Sequence, residues 1–352
     1  MNAAVVIPCF NPERTLIEYV SALINIGFQS VVVVNDGSAS VHDEIFAALS
    51  AFPPCTVLHH ERNRGKGRAL KTGFFHVQTT RPDIAGVIVA YADGRFQPED
   101  VLSVANALVH FSDALILGVR NTADRSLSRF TRFGNRFCSA LIRLLYGVKV
   151  QDIQTGLRGY PSEMLGKLLT VSGERYEYEI NLLLSCIKYA LPIQSIPVTS
   201  AYYKNSGPWS RHLRSSFVTL LLVIQSFLRF AASSLTSSAV DIGLFAVMTK
   251  LVLSKSVPNY IEISTIVARC ISASFNFYLN RKFVFVGRNA GKKAAGRFIL
   301  LSLFQMLASA LLVGLLFGLI GIDEVFVKFF VDITLFFIGY QIQHRWIFKK
   351  KT

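Results

Sequence analysis

Short apolar runs alternate with helical periodicity through the first part of the chain. Ala3–Ile7 is apolar and stops at Pro8, as a buried parallel strand would. Glu13–Ile26 follows with a helical repeat. Ser30–Val34, Cys55–His59, Ala85–Ala90 and Ala114–Leu117 predict four more strands, and Gly67–Val77 and Pro98–Val109 two more helices. Pro98 stands at a first-turn position with acidic residues behind it. This β–α alternation predicts a doubly wound α/β sheet over residues 1–215, with ligands at the carboxyl ends of its strands.

Beyond residue 215 the pattern becomes membrane-grade. Ser216–Phe230 is apolar but short and carries Gln225 and Arg229, which predicts an interfacial juxtamembrane helix over 216–231. An all-α transmembrane domain is expected over 232–352, with four spans near 232–253, 260–280, 298–320 and 325–346. The third contains an uncharged run, Phe298–Ile320, long enough to cross a bilayer. The others carry Asp241, Arg269, Asn276, Asn280, Lys328 and Asp332, polar groups that suggest function or pairing between helices. Asn280-Arg281-Lys282-Phe283-Val284-Phe285 resembles Gln343-His344-Arg345-Trp346-Ile347-Phe348, and each stretch ends a helix pair. Two parallel two-helix repeats follow from that likeness.

Composition sharpens the division. Hydrophobic residues are 51% of the 352, and mean hydropathy is +0.41, an average over two unlike halves. Net charge is +15, from 37 Lys+Arg against 22 Asp+Glu. That suits an anionic membrane face or phosphate-rich ligands. Nucleic acid is not expected as a partner, because no basic helix or aromatic–basic RNA motif appears. The basic residues between spans two and three (Arg281, Lys282, Arg288, Lys292, Lys293, Arg297) and Lys349–Lys351 contrast with Asp323-Glu324 between spans three and four. The positive-inside rule then predicts a multi-pass protein of the cell (inner) membrane with both termini and the α/β half cytoplasmic. No signal-peptide pattern precedes the first strand. Five cysteines without metal-type spacing read as reduced thiols.

Polar clusters recur at the predicted strand ends: Asn11, Asp36, Asp93 and Arg120. Asn35-Asp36-Gly37-Ser38 and Asp93-Gly94 are each good turn sequences taken singly. Their recurrence at successive strand ends points instead to a nucleotide-type ligand.

Several ordered stretches resemble the family-two glycosyltransferases of GT-A fold. More narrowly they resemble polyprenyl-phosphate sugar synthases of the dolichol-phosphate-mannose-synthase type. The stretches are Ile7-Pro8-Cys9-Phe10-Asn11, Val34-Asn35-Asp36-Gly37-Ser38, Asn63–Leu70, Ala92-Asp93-Gly94, Gly118-Val119-Arg120, Gly134-Asn135-Arg136, Asp152–Arg158 and Tyr176–Glu179. The resemblance implies a donor site of Pro8, Asn11, Asp36, Lys66, Arg68, Asp93, Arg95, Arg211 and Arg214. Asp36 would meet the nucleobase or ribose, and Lys66 and Arg68 the phosphates, with Gly65 and Gly67 letting backbone approach the ligand. Catalysis would fall to Asp93, Arg120, Arg129, Arg132 and Asp152, and acceptor binding to Arg129, Arg132, Asp152 and Arg158. Arg211, His212 and Arg214 would lie in a loop closing over the diphosphate, or form a plain juxtamembrane patch. The partners implied are a UDP- or GDP-linked sugar, polyprenyl phosphate and membrane lipid, with a homo-oligomer left open.

One departure stands out. Where the family has Asp-x-Asp followed two residues later by Gln, this chain has Tyr91, Asp93 and Arg95. Mg²⁺ or Mn²⁺ is expected on Asp93, held weakly because oxygen ligands are missing. The last third of the chain resembles the GtrA-like membrane family, associated with moving lipid-linked sugars, or serving here as an anchor. The leading expectation is an inverting transfer of sugar to polyprenyl phosphate. The alternative is a lipid-linked-sugar transporter or scaffold with a degenerate transferase domain. A processive polysaccharide synthase fits less well, because Gln343-His344-Arg345-Trp346 is one residue short of Gln-x-x-Arg-Trp and sits at the end of the last span.

Overall fold

The computed structural model of the chain describes residues 1–120, 129–199, 209–252, 260–285, 292–320 and 324–347. The backbone divides into two compact units, Met1–Val223 and Ile224–Thr352.

The first unit is an α/β sheet of seven strands. These are β1 (Ala4–Cys9), β2 (Val31–Asn35), β3 (Cys55–His59), β4 (Gly86–Val89), β5 (Leu115–Arg120), β6 (Arg158–Pro161) and β7 (Ile193–Val198), in the order β3-β2-β1-β4-β6-β5-β7. Its helices are α1 (Thr15–Asn25), α2 (Asp43–Ser50), α3 (Lys66–Thr80), α4 (Pro98–His110), α5 (Arg129–Tyr146), α6 (Leu165–Leu169) and α7 (Glu177–Lys188). β1 and β2 are nearly all apolar because both faces are covered. Alternate side chains serve opposite faces: Val5 and Ile7 join Val31, Val33 and Ile88 in one core with Leu16, Val20, Ile45, Phe46, Val101 and Val104 of α1, α2 and α4. Pro8 is accommodated inside β1 because pairing to β4 ends at Val6↔Val89, so its missing N–H leaves no gap on that side.

Six strands run parallel, and β6 lies antiparallel between β4 and β5. The simple doubly wound sheet of the sequence reading is corrected at this point. β6 starts at Arg158, which is opposite Val89 at the carboxyl end of β4 and Leu117 of β5. An antiparallel strand begins where its parallel neighbours end. Residues 152–157 are therefore delivered to the same sheet edge as the ends of β1, β2 and β4.

Four helices, α8 (Trp209–Val247), α9 (Tyr260–Leu279), α10 (Lys292–Ile320) and α11 (Glu324–Ile342), follow among the described residues. The separate interfacial helix expected over 216–231 is not separate: α8 runs unbroken through it for 39 residues, about 58 Å at 1.5 Å per residue. Neither Gly nor Pro interrupts Trp209–Val247 before Gly243, so no residue breaks the helix at 231. Leu220–Val252 is apolar and long enough to cross a membrane. Within the second unit, Phe227 stacks on Phe337 and meets Tyr340 edge-on, and Phe230 packs on Phe336. Ser272 donates to Asp241 at 2.8 Å, and Gln305 to the Leu335 carbonyl at 2.8 Å. α8, α9 and α11 each continue into one π-helical turn, Met248–Val252, Asn280–Val284 and Gln343–Ile347. Asn280, fully buried, donates to Gln343 Oε1 at 3.0 Å. These are equivalent positions of the sequence repeat, so its two halves meet through matching residues. The side chains of Arg269, Lys328 and Asp332 lie outside the described part.

Candidate active site

The carboxyl edge of the sheet is a network of strand-end side chains bound to neighbouring loops. Asn11, at φ 49°, closes β1 onto the turn after β2: its N–H donates to Ser38 Oγ and its Oδ1 accepts from Ala39 N. Asn35 Oδ1 accepts from Ser38 N. Asp36 is buried. Its carboxylate accepts from Arg64 N at 2.9 Å, Gly65 N at 2.8 Å and His60 Nδ1 at 2.7 Å. Asp36 thereby anchors the start of α3, where negative charge suits the helix dipole. His60 was not among the residues expected. Its signal is modest: a His directly after a strand ending in His59, beside the Asn-Arg-Gly-Lys-Gly stretch.

Gly65 has φ 99°, and a Cβ there would strike the Glu174 carbonyl; at Gly67 it would strike Tyr178. Both glycines admit the backbone between α6 and α7 rather than a ligand. Lys66, expected on phosphates, is also turned inward: its ammonium pairs with Glu179 at 2.8 Å and lies 3.8 Å from the Tyr91 ring centre. Burial is the largest single influence and pushes the Lys66 ammonium down, but the Glu179 carboxylate and the Tyr91 side chain together outweigh it, and the net shift is upward. Glu179 Oε1 is buried with no hydrogen-bond partner among the described residues. Glu179 is thus a site residue not in the expected set; its signal was the Tyr176–Glu179 stretch, where only one of two acids could face inward. Arg68 pairs with Glu174 at 2.6 Å and remains partly exposed.

At the end of β4, Asp93 and Arg95 are half-exposed and paired. Arg95 Nε donates to both Asp93 oxygens, at 3.0 and 2.9 Å, and its Nη2 also donates to Oδ2. The Arg95 guanidinium lies 4.7 Å from the Tyr91 ring centre. Tyr91 packs on Phe96, and the hydroxyl end of its ring closes on Gly156, where any Cβ would collide with it. A divalent ion here finds one carboxylate, already gripped at both oxygens. Among the described residues no group of three His, Cys, Asp or Glu side chains converges for a metal. This donor set fits Mg²⁺ or Mn²⁺ poorly.

Arg120 and Asp152 form a two-point ion pair, 2.7 and 3.0 Å, with Asp152 buried. Asn135 of α5 ties the same loop down, donating to the Gln151 carbonyl and accepting from Ile153 N. Arg158, expected on the acceptor, is 2% exposed and donates to the carbonyls of Ile153, Thr155 and Glu179. It shapes the loop from inside. Arg132 is half-buried on α5; the side chains of Arg129, Arg211, His212 and Arg214 lie outside the described part. The backbone of 211–214 is in the first turns of α8, not in a loop. Cys9, Cys55, Cys138 and Cys186 are buried thiols, and burial pushes Cys9 and Cys186 up to about 12 and Cys55 up to about 11.

The edge therefore gathers Asp93–Arg95, Arg120–Asp152 and Lys66–Glu179, each cation held by a carboxylate, and of the three cations Arg95 is the one half-exposed. Such an edge suits a phosphate-bearing ligand. Comparison with known proteins agrees in kind. Residues 4–169 match Glycosyl transferase family 2, and residues 224–348 match the GtrA/DPMS transmembrane domain. The uncharacterized protein MJ1222 of Methanocaldococcus jannaschii is 29% identical over 224 residues, 62% of this chain and 90% of that one. The UDP-N-acetylglucosamine–dolichyl-phosphate N-acetylglucosaminyltransferase of Methanococcus voltae is 26% identical over 219 residues, 57% of this chain and 86% of that one. Among solved structures, glucosyl-3-phosphoglycerate synthase from Mycobacterium tuberculosis, in complex with Mn²⁺, UDP and phosphoglyceric acid, is similar at a TM-score of 0.49. Its sequence identity is 18%, over 63% of this chain and 78% of that one. Residues 4–169 are thus a family-2 glycosyltransferase domain, joined in one chain to a GtrA/DPMS transmembrane domain over residues 224–348.

Proposed function

We propose that this glycosyltransferase moves a sugar from a UDP- or GDP-linked donor to a polyprenyl phosphate, undecaprenyl or dolichyl, with inversion at the anomeric carbon. The observation that carries the reading is the joining of a family-2 transferase domain and a GtrA/DPMS membrane domain in one chain. The name of the Methanococcus voltae relative, which states a dolichyl-phosphate acceptor, supports it.

In this reading an oxygen of the lipid phosphate attacks the anomeric carbon. The bond from that carbon to the diphosphate breaks, and its electron pair leaves with the nucleoside diphosphate. The nucleophile is already anionic near neutral pH, so the chain has no need of a strong general base. Its task is to align two anions and neutralise the leaving one. Arg120, fixed by Asp152, presents a cation beside the acceptor loop. Arg129 and Arg132 are assigned to the lipid phosphate, and Arg211 and Arg214 to the donor diphosphate. Asp36 acts on the donor indirectly, by fixing the start of α3. The membrane domain crosses as four spans with both termini cytoplasmic, and passes the lipid-linked product across the bilayer.

The test is to incubate the full chain with undecaprenyl or dolichyl phosphate and a panel of UDP- and GDP-sugars, then weigh the extracted lipid by mass spectrometry. A lipid heavier by one sugar residue, with matching nucleoside diphosphate release, is expected. A specific observation favours a second reading, a lipid-sugar transporter with an idle transferase domain: Arg95 occupies the only strand-four carboxylate. No nucleotide release with any donor, alongside lipid-linked sugar crossing in vesicles, would establish it.

A further inference from the structure

We propose that Arg95 is a resident counter-cation for the donor diphosphate, held on a Tyr91 platform where a divalent ion would otherwise bridge Asp93 to phosphate. The proposal rests on the nucleotide-sugar reading above and adds to it which group carries the positive charge. Three observations converge. Both Asp93 oxygens are engaged by Arg95. The strand-end residue two before Asp93 is an aromatic ring, and two cations, Lys66 and Arg95, lie over it. The two cations differ in exposure: the Lys66 side chain is 14% exposed and tied to Glu179, whereas that of Arg95 is 45% exposed.

The chemistry separates the roles. Lys66 is an interior charge that holds Tyr91 and Glu179 together. Arg95 faces the edge where the strands end. A guanidinium carries five N–H donors in one plane, so it can hold a carboxylate on one side and a phosphate on the other. Tyr91 supplies the third restraint, a ring face against which a planar cation stacks. Gly156 makes room for that ring, since any side chain there would displace it. Tyr91, Asp93, Arg95 and Gly156 thus form one device, and a divalent ion would have to evict Arg95 before reaching Asp93.

The test measures nucleotide and metal binding, not turnover. UDP and GDP are titrated into the detergent-solubilised full chain in EDTA and again in Mn²⁺, with Mn²⁺ binding followed by electron paramagnetic resonance. The wild type is expected to bind one of the nucleotides in EDTA, with affinity changing less than about threefold on adding Mn²⁺. Arg95→Gln should weaken binding in EDTA by about tenfold or more, the scale of a lost two-point phosphate contact, while Arg95→Lys should lose less. Tyr91→Asp with Arg95→Gln should gain a nucleotide-dependent Mn²⁺ signal. Arg95 is half-exposed, so these variants should keep the fold, which unchanged thermal melting checks. Wild-type binding that requires Mn²⁺, or unchanged affinity of Arg95→Gln in EDTA, overturns the proposal and leaves the function standing. Binding of neither nucleotide in any arm overturns the donor reading and this proposal together.

Discussion

Asp36 and Lys66 show how a residue's type can be legible while its task is not. Both stand in stretches that mark the site, and both lie at the carboxyl edge. Yet Asp36 binds Arg64 N, Gly65 N and His60, and Lys66 binds Glu179. A motif records which side chains a loop needs; it does not record whether they hold the loop or the ligand. Partners far apart in the chain decide that, and Lys66 and Glu179 are 113 residues apart. The pair makes a prediction. Lys66 has a folded pKa above its ordinary value, so its contribution is complete below about pH 10.4, the unfolded value, and fades as pH rises through the folded one. Glu179→Gln removes the opposing charge and leaves burial to push Lys66 down. The variant should unfold at lower denaturant at pH 7, by about 2 kcal/mol, the range of a charge-assisted hydrogen bond. The deficit should shrink at high pH, where the wild type also loses the contribution. Equal deficits at both pH values would assign the loss to packing alone.

Among the elements, the buried parallel strands were legible because both faces demand apolar residues. Cys55–His59 coincides with its expectation, and β1, β2, β4 and β5 differ only at their ends. β6 was not legible. Arg-Gly-Tyr-Pro has neither an apolar run nor an alternation, and it becomes a strand because β4 and β5 leave a gap between them. β7 was obscured likewise by its partly buried, polar-interrupted pattern. In the membrane unit the repeat was legible as sequence, but the meeting of its matching residues was not. Asn280 and Gln343 make a direct prediction there. Alanine at either position should destabilise the protein in detergent, and the double variant should cost less than the two singles summed, by about 1 kcal/mol. Additive losses would mean that the two amides stabilise the unit independently.

At the scale of the molecule, the change at residue 215 in the sequence is real in composition, while the backbone divides after Val223 and α8 runs past both points. Helical propensity has no reason to stop where hydropathy changes, which explains why the boundary was placed in a break that the helix lacks. Charge asymmetry still makes a test of orientation. Single cysteines introduced at 286–291, within the basic stretch from Arg281 to Arg297, should resist a membrane-impermeant thiol reagent applied outside intact cells. Those at 321–323 should react. The four buried native thiols of the transferase unit should stay silent at neutral pH, since burial keeps them protonated. The reverse labelling pattern would invert the topology and remove the transferase unit from the cytoplasmic nucleotide pool.

The amide pair Asn280–Gln343 has a bearing on ancestry. A carboxamide carries its own donor and acceptor, so it is among the few side chains that bind a copy of themselves as readily as another residue. A seam closed by two amides at matching positions does not require the halves to differ. A lone helical hairpin with asparagine at this place could close the same seam against a second molecule of itself. The present pair is used in one direction: Asn280 Nδ2 donates to Gln343 Oε1, while Asn280 Oδ1 has no hydrogen-bond partner among the described residues.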